Sequence, residues 1–310
     1  MSQLTILLTG ANGFIGSHLL KALLAENYRV LITTRQESDN SRITGLLPKV
    51  KIYGTDINDL RKAFSEQKID CVIHLAANYL KNHTHAEEVT TLLNSNVVFP
   101  ATILDLMREY GVRSFINTGT FFEYDLKEKK ILTEKSPIQP FNMYAESKIL
   151  FSELTQNYTK QYGLSTVYLR LFAPYGPSDN DKLIVSLIKN LMAKKSIQLS
   201  PSEQEWNFTY VSDIVEAYLL AIKYVCVVKP GYEIFNIGIN ETVKVKTVAE
   251  IIEKELGLNG LVDYDKPYAK NEIFYANCSA KKASKLLNWK AKISIDQGLR
   301  LTVDYYRNQK

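Results

Sequence analysis

Thr9-Gly10-Ala11-Asn12-Gly13-Phe14-Ile15-Gly16 (TGANGFIG) is the stretch whose reading decides the fold. In front of it, Leu4 to Leu8 reads as a short buried strand. Behind it, Ser17 to Asn27 places Leu19, Leu20, Leu23 and Leu24 at the spacing of one helix face. A strand, a glycine turn and a helix N-terminus together form a phosphate cradle. Gly10 permits the sharp turn, Gly13 leaves room for a pyrophosphate against the backbone, and Gly16 lets the helix pack on the strand. The free N–H groups and positive dipole end of the helix face the anion. A glycine turn alone is a weak signal. Its strand–helix context and a second motif, Tyr144-x-x-x-Lys148, strengthen it.

A chain of 310 residues is long enough for one large α/β domain, or for a domain and a smaller lobe. The formal charge of +5 includes no polybasic block, which gives weak support to an anionic ligand and none to nucleic-acid binding. Cys71, Cys226 and Cys278 are far apart and form no CxxC pair. Neither a disulfide framework nor a zinc site is indicated, and a reducing cytoplasm is the simple expectation. The four histidines lack metal spacing, so no metal is expected, and His83 and His85 read as solvated. No signal peptide and no apolar run of membrane-spanning length is read, so no membrane partner is expected.

Tyr28 to Thr33, Val50 to Tyr53, Cys71 to Leu75, Arg113 to Asn117 and Ser165 to Leu171 read as further strands. His85 to Tyr110 and Phe141 to Tyr162 read as long helices, the first interrupted near Pro100. Strands alternating with helices predict an α/β, Rossmann-type doubly wound parallel sheet, whose ligands bind at the carboxyl ends of the strands. The glycine turn, Arg35, Ala76-Ala77 and Thr120 all fall at such ends. Arg35 stands where this fold meets an adenosine ribose. An Arg in place of an acid there favours a 2′-phosphate, hence NADP(H) over NAD, unless Arg35 is merely a surface charge. The turn-rich Ala173-Pro174-Tyr175-Gly176-Pro177 marks a change of character. Residues 1–171 are taken as the dinucleotide-binding domain, to which the chain returns at about 208–238. Residues 172–207 and 239–310 are taken as a smaller C-terminal α/β substrate-binding lobe. Its clearest regular pieces are Val211 to Tyr224, Glu233 to Ile237, Ser279 to Leu287 and Ile295 to Tyr306.

Tyr144 and Lys148, four apart, share a helix face. A free phenol titrates near about 10, too high for acid–base work at neutral pH. A nearby ammonium and an oxidised nicotinamide favour the phenolate and are expected to lower that value. Lys148 also suits the nicotinamide ribose hydroxyls, and Thr120 offers a hydroxyl for the substrate oxygen. The three groups fit hydride transfer between nicotinamide and a carbonyl/alcohol carbon, with Tyr144 handling the proton. Tyr-x-x-x-Lys arises readily by chance in a chain with 19 tyrosines, so the weight rests on all three groups in order.

The chain resembles, over essentially its whole length, the extended short-chain dehydrogenase/reductases of the nucleotide-sugar epimerase/dehydratase/reductase family. The carrying residues are TGANGFIG, Asp56-Ile57, His74 to Ala77 (HLAA), Thr120, Tyr144 to Lys148 (YAESK), Leu169 to Pro177 (LRLFAPYGP) and Phe208 to Asp213 (FTYVSD). The resemblance implies a tightly held nicotinamide cofactor, NADPH preferred and NAD possible. It implies cofactor contacts from Gly10, Asn12, Gly13, Phe14, Ile15, Gly16, Arg35, Leu75, Ala76, Ala77, Asn96, Thr118, Tyr144 and Lys148, with Asp56 and Ile57 flanking the adenine. It implies a sugar nucleotide held by Asn78, Thr120, Phe121, Phe122, Ala173, Trp206 and Lys270. It also implies a homodimer formed as a four-helix bundle from the helices around 85–110 and 141–162.

Subclasses of this family differ just after the catalytic hydroxyl. The 4,6-dehydratases carry an Asp-Glu pair there; this chain has Phe121-Phe122. The 3,5-epimerising reductases carry a Cys two places on, where Phe122 stands; Glu123 is at hand, with its direction open. A 4-ketoreductase or a 4-epimerase remains, and Arg35 tilts the choice to an NADPH-consuming reductase. The narrower likeness is to CDP-abequose and CDP-paratose synthases, through Ile73 to Ala76, Phe115 to Thr118 and Asn271 to Asn277. Departures fall on the substrate side. Ala173 replaces the usual Asn, Trp206 replaces a phosphate-binding Arg, and Ala269 and Lys270 stand where a second Arg is usual. Lys266 or Lys270 can replace it as a point charge, and Trp206 either stacks on the ligand or fills the lobe. The expectation is an NADPH-dependent reductase of a nucleotide-linked 4-keto-6-deoxy sugar in deoxysugar biosynthesis. A nucleotide-sugar 4-epimerase with tightly bound NAD(P) and a silent NADP-binding regulator are the alternatives.

Overall fold

Thr5–Thr9 (β1, TILLT) is buried at every position, as a strand covered on both faces must be. The structure, a computed structural model, describes residues 3–80 and 82–309. Around β1 lie Arg29–Thr33 (β2), Lys51–Tyr53 (β3), Cys71–His74 (β4), Ser114–Thr120 (β5), Ser165–Leu171 (β6) and Gly231–Ile237 (β7). They form one seven-stranded sheet in the order β7-β6-β5-β4-β1-β2-β3. β1 pairs in parallel with β2 and β4, β2 with β3, and β4 with β5. The strand order reverses between β1 and β4, which makes their carboxyl ends the switch point where such sheets bind ligands. The fold is the Rossmann-type doubly wound sheet that the alternation of elements predicts.

The elements differ from expectation in three places. Helix α1 runs Phe14–Ala25, so Phe14, Ile15 and Gly16 form its first turn instead of leading up to it. Ile57–Glu66 (α2) is a helix the sequence reading leaves out. Leu60, Ala63 and Phe64 are buried on one face, and the Asp56 carboxylate caps its start by accepting the Asn58 and Asp59 N–H groups. The long region after residue 85 runs as Ala86–Leu93 (α3), a π-type turn at Asn94–Val98, and Phe99–Glu109 (α4). The irregularity therefore precedes Pro100, which sits in the first turn of α4, where its missing N–H costs little.

The 24-residue stretch Ala86–Glu109 contains an 18-residue window of mean hydropathy 1.2, enough to cross a membrane by length and composition alone. This corrects the reading that no run reaches that length. Its Ile103, Leu104, Leu106 and Met107 pack in a core with Leu7, Val72, Phe115 and Phe151. Met143–Tyr162 (α5) also joins this core through Phe151. The Asn142 side chain caps α5 by accepting the Ala145 N–H, and Gly163 ends it in the left-handed region, at φ 66°.

The chain divides into two compact units. The first takes Met1–Asp125, Pro137–Arg170 and Val215–Phe235; the second takes Leu126–Ser136, Leu171–Ile214 and Asn236–Lys310. Helices Leu183–Met192 (α6), Val245–Leu256 (α8), Lys281–Leu287 (α9) and Ile295–Arg307 (α10) belong to the second; Val211–Val225 (α7) crosses the boundary. In the second unit Trp289, 1% exposed, donates its indole N–H to the Asp213 carbonyl. The Asp213 carboxylate accepts the Lys292 and Ile293 N–H groups. The FTYVSD motif thus ends in a buried acid that pins the segment before α10.

Leu104 tests whether the apolar face of α4 is core. Leu104→Ala is expected to cost about 2–5 kcal/mol in urea unfolding. Val227→Ala, at a position 82% exposed, is expected to stay within about 0.5 kcal/mol.

Candidate active site

The glycine turn brings two strand ends and a helix start into backbone contact. Gly10 lies at φ +70°, and a Cβ there would sit 2.5 Å from the Ala76 nitrogen. A Cβ on Gly16 would lie 2.0 Å from the Gly10 carbonyl oxygen. Gly13 is the N-cap of α1, with no side-chain cap and no acid in the first turn, so the helix's positive end has no anion of its own there. These features fit a cofactor pyrophosphate. Thr9 locks the neighbouring strand: its Oγ1 accepts the Ala76 N–H (3.2 Å) and bonds His74 Nδ1 (2.8 Å). Leu75 and Ala76 lie half-buried there, and Ala77 is exposed.

The segment after β2 closes over the turn. Asn12 Nδ2 donates to the Asp39 carbonyl (3.0 Å), and Arg42 Nη1 reaches the Asn12 carbonyl (3.5 Å). The Asp39 carboxylate accepts the Ser41 N–H and hydroxyl, which hold it below the usual carboxylate range. Arg35 is exposed at the end of β2 and makes no ion pair among the described residues. Asp56 spends its carboxylate on the α2 cap, and Ile57 beside it is 44% exposed.

Tyr144 and Lys148 lie one turn apart near the start of α5, and the Lys148 Nζ stands 5.8 Å from the Tyr144 ring centre. Thr120 ends β5 and opens a single helical turn, Phe121–Glu123. That turn is tied to the entry of α5: the Phe141 N–H donates to the Phe122 carbonyl (2.8 Å) and the Gln139 N–H to the Glu123 carbonyl (3.0 Å). Lys148 is 2% exposed and makes no ion pair among the described residues. Burial pushes its ammonium down to about 8, partly opposed by Glu123. Tyr144 keeps some exposed surface, but desolvation, then Glu123 and Tyr79, raise its phenol above the ordinary value. The expected lowering rested on an ammonium together with an oxidised nicotinamide; of the chain's own groups, burial acts the other way. The chain's own groups hold the proton on Tyr144, and Lys148 faces its ring.

Glu123 answers the question of its direction. It is fully buried, accepting the Thr120 N–H (2.7 Å) and the Tyr168 hydroxyl (2.8 Å) on one oxygen and Arg170 Nε (2.7 Å) on the other. Two signals in the sequence point to it. Thr120-Phe-Phe-Glu123 has the spacing of a capping box, and Arg170 is the one charged residue in a wholly buried strand. Other expected residues are bound up with the scaffold. Asn96, 1% exposed, bonds the Asn78 N–H and carbonyl and the Ser147 hydroxyl. The Thr118 hydroxyl donates to the His74 carbonyl (2.9 Å) and bonds the Tyr218 hydroxyl (2.6 Å). Burial and Lys148 hold His74 well below its usual pKa, so it is neutral. Tyr79, which the sequence reading does not single out, sets its ring edge-on to Tyr144 at 4.9 Å.

Ala173, Trp206 and Lys270 lie in the second unit. Ala173 sits at φ 25°, a strained value for a residue with a Cβ. The Trp206 indole N–H donates to the Ile273 carbonyl (2.8 Å) and its ring leans on Phe208. Lys270 is exposed. The same unit holds a cavity of about 590 Å³ whose lining includes Lys281, Lys285, Lys290 and Trp289. It shares no residue with Thr120, Tyr144 or Lys148.

Comparison with known proteins agrees with this geometry. The model of the NAD dependent epimerase/dehydratase family matches residues 6–238, and the chain belongs to that family of extended short-chain dehydrogenase/reductase enzymes. A putative UDP-glucose 4-epimerase of Methanocaldococcus jannaschii is 29% identical, over 98% of each chain. CDP-abequose synthase of Salmonella muenchen is 28% identical, over 95% of each. The solved UDP-glucuronic acid 4-epimerase from Bacillus cereus, in complex with UDP-glucuronic acid and NAD, superposes with a TM-score of 0.89 at 25% identity, covering 99% of this chain and all of that one.

Lys148 yields a stability prediction. Between about 8 and 10.5 the unfolded chain binds more protons than the folded one, so stability rises with pH across that window. Below it both states carry the proton and the full cost, on the order of 3 kcal/mol, is present. Lys148→Met is expected to be more stable than the parent at pH 7, by less as the pH climbs toward 10.5. Urea unfolding at pH 7 and pH 10 measures both.

Proposed function

We propose that the chain is an NADPH-dependent reductase that converts the C4 carbonyl of a nucleotide-linked 4-keto-6-deoxy sugar to an alcohol, in deoxysugar biosynthesis. The observation that carries this reading is what surrounds Thr120. Reduction needs one proton donor. Dehydration needs an acid and a base beside the hydroxyl, where this chain has Phe121 and Phe122 with ring centres 4.2 Å apart. The acid that follows, Glu123, is held by Arg170. Phe122 stacks on Phe141, and Tyr79 edges onto Tyr144. An aromatic, uncharged rim suits the apolar face and methyl group of a deoxy sugar better than a carboxylate. The likeness to CDP-abequose synthase supports the same choice.

The nicotinamide, when bound, supplies the hydride. Thr120 orients the carbonyl oxygen by a hydrogen bond, and Tyr144 gives that oxygen its proton. The raised pKa of Tyr144 suits a donor that must stay protonated until transfer. Lys148, charged at pH 7, holds the ribose hydroxyls and steadies the phenolate once the proton has left. Arg35, exposed at the end of β2, supports a 2′-phosphate and so NADPH. Nucleotide recognition is assigned to Ala173, Trp206 and Lys270.

The test is nicotinamide absorbance with CDP-, dTDP-, GDP- and UDP-4-keto-6-deoxy sugars, with NADPH and NADH in parallel. Stoichiometric loss of NADPH with one sugar is expected, and Tyr144→Phe is expected to cut turnover by at least about 10³-fold while cofactor still binds. A second reading, a 4-epimerase, is favoured by the names of two of the similar proteins. Conversion of a sugar nucleotide to its C4 epimer with no net cofactor use would establish it instead.

We also infer a homodimer through a four-helix bundle. Val98 beside α4 and Leu150 on α5 are 55% and 41% exposed, apolar surface that a partner's helices would cover. Light scattering is expected to give the mass of two chains; the mass of one overturns the dimer.

A further inference from the structure

Glu123 is the one carboxylate among the buried residues of the first unit. Its place is crowded. A Cβ on Gly119 would lie 2.4 Å from the Tyr168 ring and 2.6 Å from the Glu123 carboxylate, so the strand leading to Thr120 runs directly over the acid. One carboxylate oxygen takes the Thr120 N–H and the Tyr168 hydroxyl; the other takes Arg170. The Arg170 guanidinium lies over the Tyr124 ring at 4.6 Å, and its Nη1 has no hydrogen-bond partner. The cation bonds the carboxylate through Nε and lies against the Tyr124 and Tyr168 rings. A helical turn of three residues needs no buried ion pair to close, and burying one is costly unless its bonds are well made.

We infer that Glu123 is a positioning residue of the proposed site: clamped by Arg170, it fixes the turn that presents Thr120 and supplies a fixed negative charge next to Tyr144 and Lys148. The inference rests on the reading of Thr120, Tyr144 and Lys148 as the reacting groups. Every other titratable group facing that pair is neutral or already spent. From β4 comes His74, neutral; from the loop after it, Tyr79; from α7, Tyr218; from β6, Tyr168, whose hydroxyl also reaches the Lys148 carbonyl (3.4 Å). Burial raises Tyr79, Tyr218 and Tyr168, which stay protonated. Arg170 is bound to Glu123. The carboxylate raises both Tyr144 and Lys148, favouring the proton on each. It thus keeps Lys148 charged and Tyr144 able to donate.

The experiment titrates Lys148 in ligand-free protein by NMR of Cε-labelled lysine, with Lys148→Arg identifying the signal. Glu123→Gln removes the charge but turns an amide N–H toward Arg170, so Glu123→Gln with Arg170→Gln is made as the folded partner variant. Both are expected to move Lys148 below its parental value by about half a pH unit or more. Arg170→Lys, which leaves Glu123 charged, is expected to leave Lys148 in place. With substrate, the alkaline limb of kcat/KM moves down with the titration. An unmoved Lys148 in the folded double variant overturns the inference, as does a fall in kcat with the limb unmoved, which marks a merely structural role. Failure of the sugar panel bears only on the reductase reading, because the titration needs neither cofactor nor sugar.

Discussion

Gly16 lies so close to Gly10 that no Cβ fits between them, and Gly10 lies equally close to Ala76. That double backbone contact is the constraint on which the first unit depends. It brings the start of α1 against the end of β1, and the end of β1 against the chain leaving β4. The sheet order reverses at the same place, so the switch point and the helix's positive end coincide. Thr9 completes the join by bonding both His74 and Ala76.

A second constraint is the handling of buried charge. The first unit buries a lysine and an ion pair, linked through the Tyr168 hydroxyl, which reaches Glu123 and the Lys148 carbonyl, and each costs free energy in a dry interior. Lys148 makes no ion pair among the described residues and loses affinity for its proton; Glu123 accepts from three donors. The two arrangements are complementary. An unpaired cation is available to a ligand, while a fully bonded anion holds geometry and field without competing for that ligand.

The proposed chemistry rests on the surroundings of Thr120. The two positions after Thr120 are the ones on which the proposed reaction turns. Here two phenylalanines fill those positions, with Phe141 and Tyr79 extending the aromatic surface. Phe121 and Phe122 supply no acid or base beside Thr120. A single proton donor and a hydride carrier are then the only reagents the proposed reaction uses.

The sequence by itself determined the sheet, the glycine cradle and the Tyr144–Lys148 pairing, because each rests on local periodicity or on a spacing of three or four residues. Local spacing also holds the Thr120–Glu123 box, but its partner Arg170 lies 47 residues away and only the fold brings the two together. What the tertiary structure alone decided was environment. A lowered Tyr144 pKa was expected from Lys148 together with an oxidised nicotinamide; burial, with groups from the turn after β5 and the loop after β4, pushes the other way. Helix α2 and the cap at Asp56 escaped notice for the same reason: Leu60 and Phe64 read as a helix face only once a core exists to receive them. Spacing along a chain fixes which side chains share a face. Desolvation and through-space charge depend on what the rest of the chain brings to that face, and no single stretch of sequence contains it.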